Sequence, residues 1–456
     1  MNGGAGIKAK LTENADQPEA MSSMSGDVSF PGRLIVNVRA RISRSRQTIR
    51  SVMALLSSSM LSTVLNAIGG LLVARFLGPG ETGAFRAFTI PLTYLMFLHL
   101  GTFDGLHRQI PYYVGKEMPE EVDRLASAAG AFNRALSIAG SCGFICCAAH
   151  SLLHHDFYGV FGWLSQAIFC WEVFYGGYFG STYRTLNHFV ILSKIQVAQT
   201  LLSFGMVFLL PFLKFYGLCA RVAVPSLLMV WLCQRNRPIK VRYRFDINAL
   251  RDLIKVGLPF SFWGNLSTSV WVATEGALIL HFGGTGALGL FSVGYAIRSA
   301  MSSIPIVVYQ VLAPRLVTSY ARDGSVSNAN ARNRWISVWL TGFMILLALT
   351  GSFLLNYFVP FAIPKYVAGI PIMKICLWFS IIEAANLPLN ALFATGRSWL
   401  YGRGVIVGIF IFLLATYLLI PALGGALAVV TGSLLGRAAR TIVAHVELSL
   451  LMRQER

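Results

Sequence analysis

Charge is scarce in this chain, and acid is the scarcer half of it. Of 456 residues only 12% are Asp, Glu, Lys or Arg, with 38 basic residues against 19 acidic ones. A water-soluble domain carries about twice that charged fraction, so a fully hydrated surface is excluded. The seven cysteines, Cys142, Cys146, Cys147, Cys170, Cys219, Cys233 and Cys376, form no CxxC pair and no zinc-like spacing. They read as small apolar packing residues rather than as a disulfide framework. Nucleophile elbows, HExxH helices and P-loops are missing too. Those motifs place a strained serine, paired imidazoles or a phosphate cradle. The chain is therefore not read as an enzyme, and no cofactor or metal is expected. His154-His155-Asp156 is a weak metal candidate in a short turn.

What is abundant is apolar surface. Hydrophobic residues make up 55% of the chain, and mean hydropathy is +0.62. Apolar runs of about 20 residues recur, the length that crosses a bilayer as a helix. They fall at 52–74, 84–105, 132–153, 157–180, 189–211, 215–234, 256–282, 288–313, 335–358, 370–394, 402–420 and 424–446. The expected fold is an all-α membrane protein of about twelve spans. Its expected divisions are a disordered, basic cytoplasmic segment (1–50), a six-helix bundle (51–234), a basic connector (235–255), a second six-helix bundle (256–446) and a tail (447–456).

The net charge of +19 would suggest nucleic acid in a soluble protein. Here the basic residues collect between spans, on one side. The even-numbered loops carry Arg108, Lys116, Arg124, Arg134, Arg184, Lys194, then Arg235, Arg237, Lys240, Arg242, Arg244, Arg251 and Lys255, then Arg315, Arg322, Arg332, Arg334, Arg397 and Arg403. The C-terminus adds Arg437, Arg440, Arg453 and Arg456. The odd loops hold only Arg75, Arg86, Lys214 and Lys365. This bias predicts cytoplasmic termini and no nucleic-acid partner.

The chain also repeats itself. Phe76, Gly78, Gly80, Gly83 and Phe85 meet Phe282, Gly284, Gly286, Gly289 and Phe291 at one constant offset of 206 residues. Six spans separate the copies, so both halves enter the membrane in the same direction. Parallel repeats of this kind are related by a pseudo-two-fold along the membrane normal and are a transporter architecture. Both segments match G-x-G-x-x-G, but each follows a membrane helix rather than a strand. Their glycines are read as tight reversals of the chain.

Ionised side chains inside spans are expensive and usually face a polar interior. Glu275 and Arg298 lie equally far from the second glycine turn and are placed to pair. The pair serves either to tie two helices or to line a cavity. Arg75 and Arg86 flank the first turn, where they either snorkel to headgroups or put positive charge at a cavity mouth. Glu172 and Glu383 lie deeper with no partner nearby in sequence, as candidate coupling or structural acids. Pro91, Pro305 and Pro388 permit bends within spans.

Val73-Ala-Arg-Phe-Leu-Gly-Pro-Gly-Glu-Thr-Gly83, Val256-Gly-Leu-Pro-Phe260 and Gly289-Leu-Phe-Ser-Val-Gly-Tyr-Ala296 together resemble the MATE/MOP exporter superfamily (multidrug, oligosaccharidyl-lipid and polysaccharide exporters). Within it the chain is similar to the polysaccharide-biosynthesis, Wzx-type flippases of bacterial inner membranes, over about residues 50–445. The resemblance implies two bundles around a central cavity and alternating access. It also implies movement of polyprenyl-diphosphate-linked oligosaccharide across the inner membrane for surface polysaccharide biosynthesis. A diphosphate needs cationic partners, and the resemblance puts Arg75, Arg86 and Arg298 in that role. Its implied partners are the lipid-linked glycan, membrane lipids and glycan-assembly proteins. Two alternatives stand beside it. One is a drug or small-molecule antiporter, although Val52–Ala74 holds no acid for an organic cation. The other is a membrane enzyme of glycan assembly, although no external loop offers it room.

Overall fold

The computed structural model describes residues 60–323 and 326–454, and every regular element among them is helical. The basic N-terminal segment and the start of the first span lie outside these residues, as does Arg456.

The first half begins with α1 (Met60–Phe76), a short apolar helix as described. It is followed by α2 (Pro79–Leu95), α3 (Thr102–Gly115), α4 (Pro119–Leu153), α5 (Phe157–Trp171), α6 (Gly177–Thr185), α7 (Phe189–Gly205) and α8 (Leu210–Arg235). The second half contains α9 (Ile247–Asn265), α10 (Trp271–Asp323), α11 (Val326–Ala362), α12 (Ile370–Ala385), α13 (Asn390–Ala394), α14 (Ser398–Leu423) and α15 (Gly425–Gln454). Local chemistry sets several starts. Pro79 and Pro119 occupy first turns, where a missing N–H costs nothing. The carboxylates of Asp156 and Asp246 accept main-chain N–H groups at the heads of α5 and α9.

Seven continuous helical stretches are each long and apolar enough to cross a bilayer. Two of them are hairpins. Within α10, Gly284 adopts φ +71°, which only glycine tolerates freely. A straight helix would hold Glu275 and Arg298 about 34 Å apart, yet their side chains meet at 3.0 Å, so α10 folds back on itself at Gly284. Lys214 breaks α8 in the same way, with φ +46°. Arg221 accordingly reaches back to the Ser203 carbonyl, 3.2 Å away. Two more spans are single passes with an interruption. Leu100 and Gly101, both left-handed, separate α2 from α3. A π-turn at Glu172–Gly176 joins α5 to α6. With α1, the passes fill the twelve-helix, two-bundle layout. Large apolar side chains such as Phe212 (84% exposed) and Phe361 (88%) point outward, as a hydrocarbon-facing wall requires. The seven cysteines are free, and Cys142, Cys146 and Cys147 lie on the outer face of α4 rather than in its packing.

The two halves meet through their repeated glycines. A Cβ on Gly83 would fall onto the carbonyl oxygen of Thr285, and a Cβ on Gly289 onto that of Pro79. Gly83 and Gly289 are repeat mates, and so are Pro79 and Thr285. The contact is therefore its own image under the internal symmetry, and the pseudo-two-fold axis runs between α2 and the second arm of α10. Thr82 Oγ1 and Tyr366 Oη, 2.9 Å apart, and Lys365 Nζ donating to the Phe76 carbonyl at 3.2 Å, tie the halves at the same end. At the opposite end the main chain of Gly101 lies against that of Gly257. There Gln109 donates to the Asp252 carbonyl at 3.0 Å, and Arg124 bridges Asp246 and Asp252.

Overpacking at such a crossing costs about 1–3 kcal/mol. Gly289→Leu is expected to lower the thermal unfolding midpoint of the purified protein in detergent. Gly286→Leu, where a Cβ meets open space, should leave it near wild type.

Candidate functional site

The closed glycine crossing leaves one flank of the interface unfilled. There α1, α2 and α8 of the first half face the second arm of α10, α11 and α12 across a cavity of about 540 Å³. Its walls are largely aliphatic and aromatic, among them Leu71, Phe85, Leu354, Leu355 and Phe358. Among the described residues two charged side chains line it, Arg86 from α2 and Arg221 from α8, and no acid does. Arg86 stacks its guanidinium over Tyr295 at 4.4 Å from the ring centroid. Arg221 spends Nε on the Ser203 carbonyl. Neither is in an ion pair among the described residues.

A second concentration of charge lies inside the second bundle, away from this cavity. Glu275, only 1% exposed, is its centre. Arg298 Nη1 donates to both carboxylate oxygens, at 3.0 and 3.3 Å. Arg437 Nη2 donates to Oε1 at 3.4 Å, and Arg437 Nη1 to the Ser267 carbonyl at 3.3 Å. Ser433 donates to Oε1 while accepting from Trp271 Nε1 at 3.0 Å. The carboxylate thus gathers both arms of α10 and helix α15 around one point. Ser267 belongs to a π-turn at Leu266–Val270, a feature that commonly re-aims main-chain groups at functional sites. Aromatic faces complete the enclosure, with Arg298 over Phe379 at 4.2 Å and Arg437 over Trp271 at 4.8 Å.

The sequence-derived candidates are therefore dispersed. Arg86 lines the cavity. Arg75 is exposed at the glycine-turn end. Arg298 and Glu275 pair, but they point into the second bundle and not at the cavity. Glu172 in the π-turn of the first bundle accepts from Gln199 at 2.7 Å and from Ser226 at 2.5 Å. Glu383 accepts a long hydrogen bond from Asn386 at 3.5 Å and lies within electrostatic reach of Arg298 and Arg437. Asp156 caps a helix, and no metal-holding group of three His, Cys, Asp or Glu exists among the described residues.

Arg437 and Arg440 require a correction. Assigned to the C-terminal positive flank, both are 2% exposed. The reason is length: α15 runs 30 residues, so they lie about 18 and 22 Å along it, deep inside a bilayer. Arg221, which lines the cavity, is likewise not among the sequence-derived candidates. All three sit within the bounds of predicted spans, and the cost of an intramembrane charge was the signal that marked them.

Several solved structures share this architecture. An inward-facing multidrug-resistance MATE transporter of the MOP superfamily aligns with a TM-score of 0.62 at 14% identity, over 88% of this chain and 98% of its own. The lipid II flippase MurJ, in an inward closed conformation, aligns with a TM-score of 0.64 at 14% identity, over 87% of each chain. A MOP transporter of Pyrococcus furiosus aligns at 0.56 and 15% identity, over 90% of this chain and 94% of its own. The fold is the one these transporters share. No protein-family model matches the chain, and no curated protein matches it. These neighbours are transporters and flippases rather than enzymes, and the chain is a multi-pass membrane protein with their architecture.

Removing one partner of a buried ion pair leaves its companion uncompensated, at a cost of about 3–5 kcal/mol. Glu275→Ala strands two guanidiniums and is expected to abolish the monodisperse peak in size-exclusion chromatography after detergent extraction. Ser433→Ala, which removes a single donor worth about 1 kcal/mol net, should retain it.

Proposed function

We propose that this chain is a flippase that moves a polyprenyl-diphosphate-linked oligosaccharide across the bacterial inner membrane by alternating access, for surface polysaccharide biosynthesis. The observation that carries this reading is the charge of the cavity: among the described residues it has two guanidiniums, no carboxylate, and an apolar wall shared by both halves. Guanidiniums match phosphate oxygens through paired N–H donors. Arg86 and Arg221 provide two such forks for the two charges of a diphosphate, while the aliphatic wall suits the adjoining isoprenoid chain. In this reading Arg221 and Arg86 are the substrate-binding cations, and Arg298 is held back by Glu275.

The shared fold does not choose between substrates, because its neighbours include multidrug transporters as well as a lipid II flippase. Cavity charge favours the anionic one. A cationic drug would need an acid in this cavity, and its charged lining among the described residues is basic. Alternating access requires the Gly83–Gly289 crossing to part while the opposite end closes, as a rocking of one half against the other. The loop charges favour cytoplasmic termini, which puts the glycine turns on the external side and the 235–255 connector on the cytoplasmic side. Membrane lipids and glycan-assembly proteins are the expected partners.

A charge-assisted hydrogen bond is worth about 1.5–3 kcal/mol, or about ten- to a hundredfold in affinity. In a deletion strain, Arg86→Ala and Arg221→Ala are each expected to cut surface glycan by at least about tenfold, with unchanged membrane abundance on immunoblots. Arg75→Ala should export normally, and drug susceptibility should not move. Wild-type export by the Arg86→Ala/Arg221→Ala double variant would overturn the reading.

Orientation is separately testable in a cysteine-free background. Gly80→Cys should react with an impermeant maleimide added outside spheroplasts. Arg237→Cys should react only after the cells are opened.

A further inference from the structure

The second bundle carries a concave surface on its outer, lipid-facing side. It is a groove of about 490 Å³ between α11 and α15, floored by Ala385 at the end of α12 and by Pro388 just beyond it. The α11 wall consists of Arg334, Ser337, Val338, Thr341, Gly342 and Ile345. Their alternating spacing of three and four residues makes one continuous helical stripe. His445, Leu448 and Met452 form the matching stripe on α15. Val338 in the groove and Val446 beside it are exposed apolar side chains, as a wall against hydrocarbon should be. The groove shares no lining residue with the cavity between the halves.

One end of the groove is charged and the rest is not. Arg334 stands near the start of α11, at the end of the bundle where the 235–255 connector lies. Ile345 lies about 16 Å further along the helix axis, roughly half of a 30 Å hydrocarbon core. The groove is therefore one leaflet deep. Trp335 and Trp339, both exposed and with ring centroids 5.8 Å apart, mark the headgroup level beside Arg334. Arg334 is itself exposed and makes no ion pair among the described residues, and no acid among them lines the groove. Arg453, next in the chain to the lining Met452, adds a second exposed cation. Two of the other polar groups are spent: His445 Nε2 donates to the Ala385 carbonyl and Ser337 Oγ to the Ala384 carbonyl, each at 2.9 Å. Further in, a Cβ on Gly342 would meet only open space, so the groove stays clear along its length.

We propose that this groove holds one anionic phospholipid, with its phosphate on Arg334 and an acyl chain along Val338, Gly342 and Ile345. Charge selects the headgroup. A zwitterionic lipid would bring its ammonium to a mouth that has Arg334 and Arg453 and no acid to receive it. An anionic lipid brings only the charge that the mouth attracts. The bound lipid bridges α11 and α15 across the gap between their stripes. The inference does not rest on the flippase reading, and its test uses no transport.

Full-length protein, stripped of lipid in detergent, is titrated with phosphatidylglycerol or with phosphatidylcholine of identical chains, and bound lipid is counted by native mass spectrometry. The wild type should take up one phosphatidylglycerol saturably, about tenfold more tightly than phosphatidylcholine. Arg334→Gln should lose that preference. Gly342→Leu, which fills the groove, should weaken both lipids by at least about tenfold. Arg332→Gln removes the same charge two residues away, outside the lining, and should behave as the wild type. Equal binding of the two lipids by the wild type would overturn the proposal, as would an unchanged preference in Arg334→Gln or full binding by Gly342→Leu. Equal losses in Arg332→Gln and Arg334→Gln would overturn it too, because they mean a general attraction to the basic end rather than a built site. Arg334 is exposed and Gly342 faces open space, so neither substitution disturbs the packing of the bundle.

Discussion

Everything in this molecule answers to the cost of an ion in hydrocarbon. The chain carries so little charge that each ionised side chain within a span needs a specific solution, and Glu275 is the most developed of them. One carboxylate receives two guanidiniums and a hydroxyl, and through these contacts it fastens both arms of α10 to α15. The aromatic faces of Phe379 and Trp271 enclose the guanidiniums where water would otherwise sit. Such a cluster adds little net stability over an apolar core, because desolvation offsets much of the attraction. What it does supply is register, since the helices have one arrangement in which every member is satisfied.

The interface between the halves obeys a different constraint, that of close backbone approach. Gly83 and Gly289 let α2 and α10 cross with carbonyl oxygens where side chains would be, and the internal repeat makes the crossing self-matching. A self-matching contact on the symmetry axis can be broken and remade without a favoured partner on either side. The same interface is asymmetric in its flanks. Where α2 and α3 meet α9 and α10 the chain is closely packed from end to end, whereas the flank of α1 and the second arm of α10 keeps a cavity. The repeat is thus symmetric in backbone but not in side chains.

The separation of the two charged regions gives each a distinct part in the proposed mechanism. The cavity cations stay unpaired by acids, which leaves them free for a substrate. The buried cations of the second bundle are committed to Glu275, apart from Arg440. Arg298 illustrates the difference. It stands on the cavity-lining arm of α10, close in sequence to Ala296, Ile297 and Ala300, which do face the cavity. Helical rotation turns its side chain to the other face and into the ion pair.

Sequence alone determined the class, the number of passes, the reversal at Gly284 and the repeat, because these depend on apolar run length, on a φ-permissive residue and on identity at constant offset; Gly83 and Gly289, read there as turn residues, lie in helices and serve the crossing instead. It also placed Glu275 and Arg298 at similar depth, since they are equally spaced from one hairpin turn, which made their pairing plausible. Only the tertiary structure decided what else surrounds them. Arg437 and Ser433 lie more than 150 residues from Glu275 in the chain, and no local pattern aims them at α10. Arg221 became a cavity residue because α8 reverses at Lys214 and packs beside α1, a placement set by helix rotation and long-range contact. Span length reports how deep a charge lies; which way it points depends on neighbours that the chain brings together only on folding.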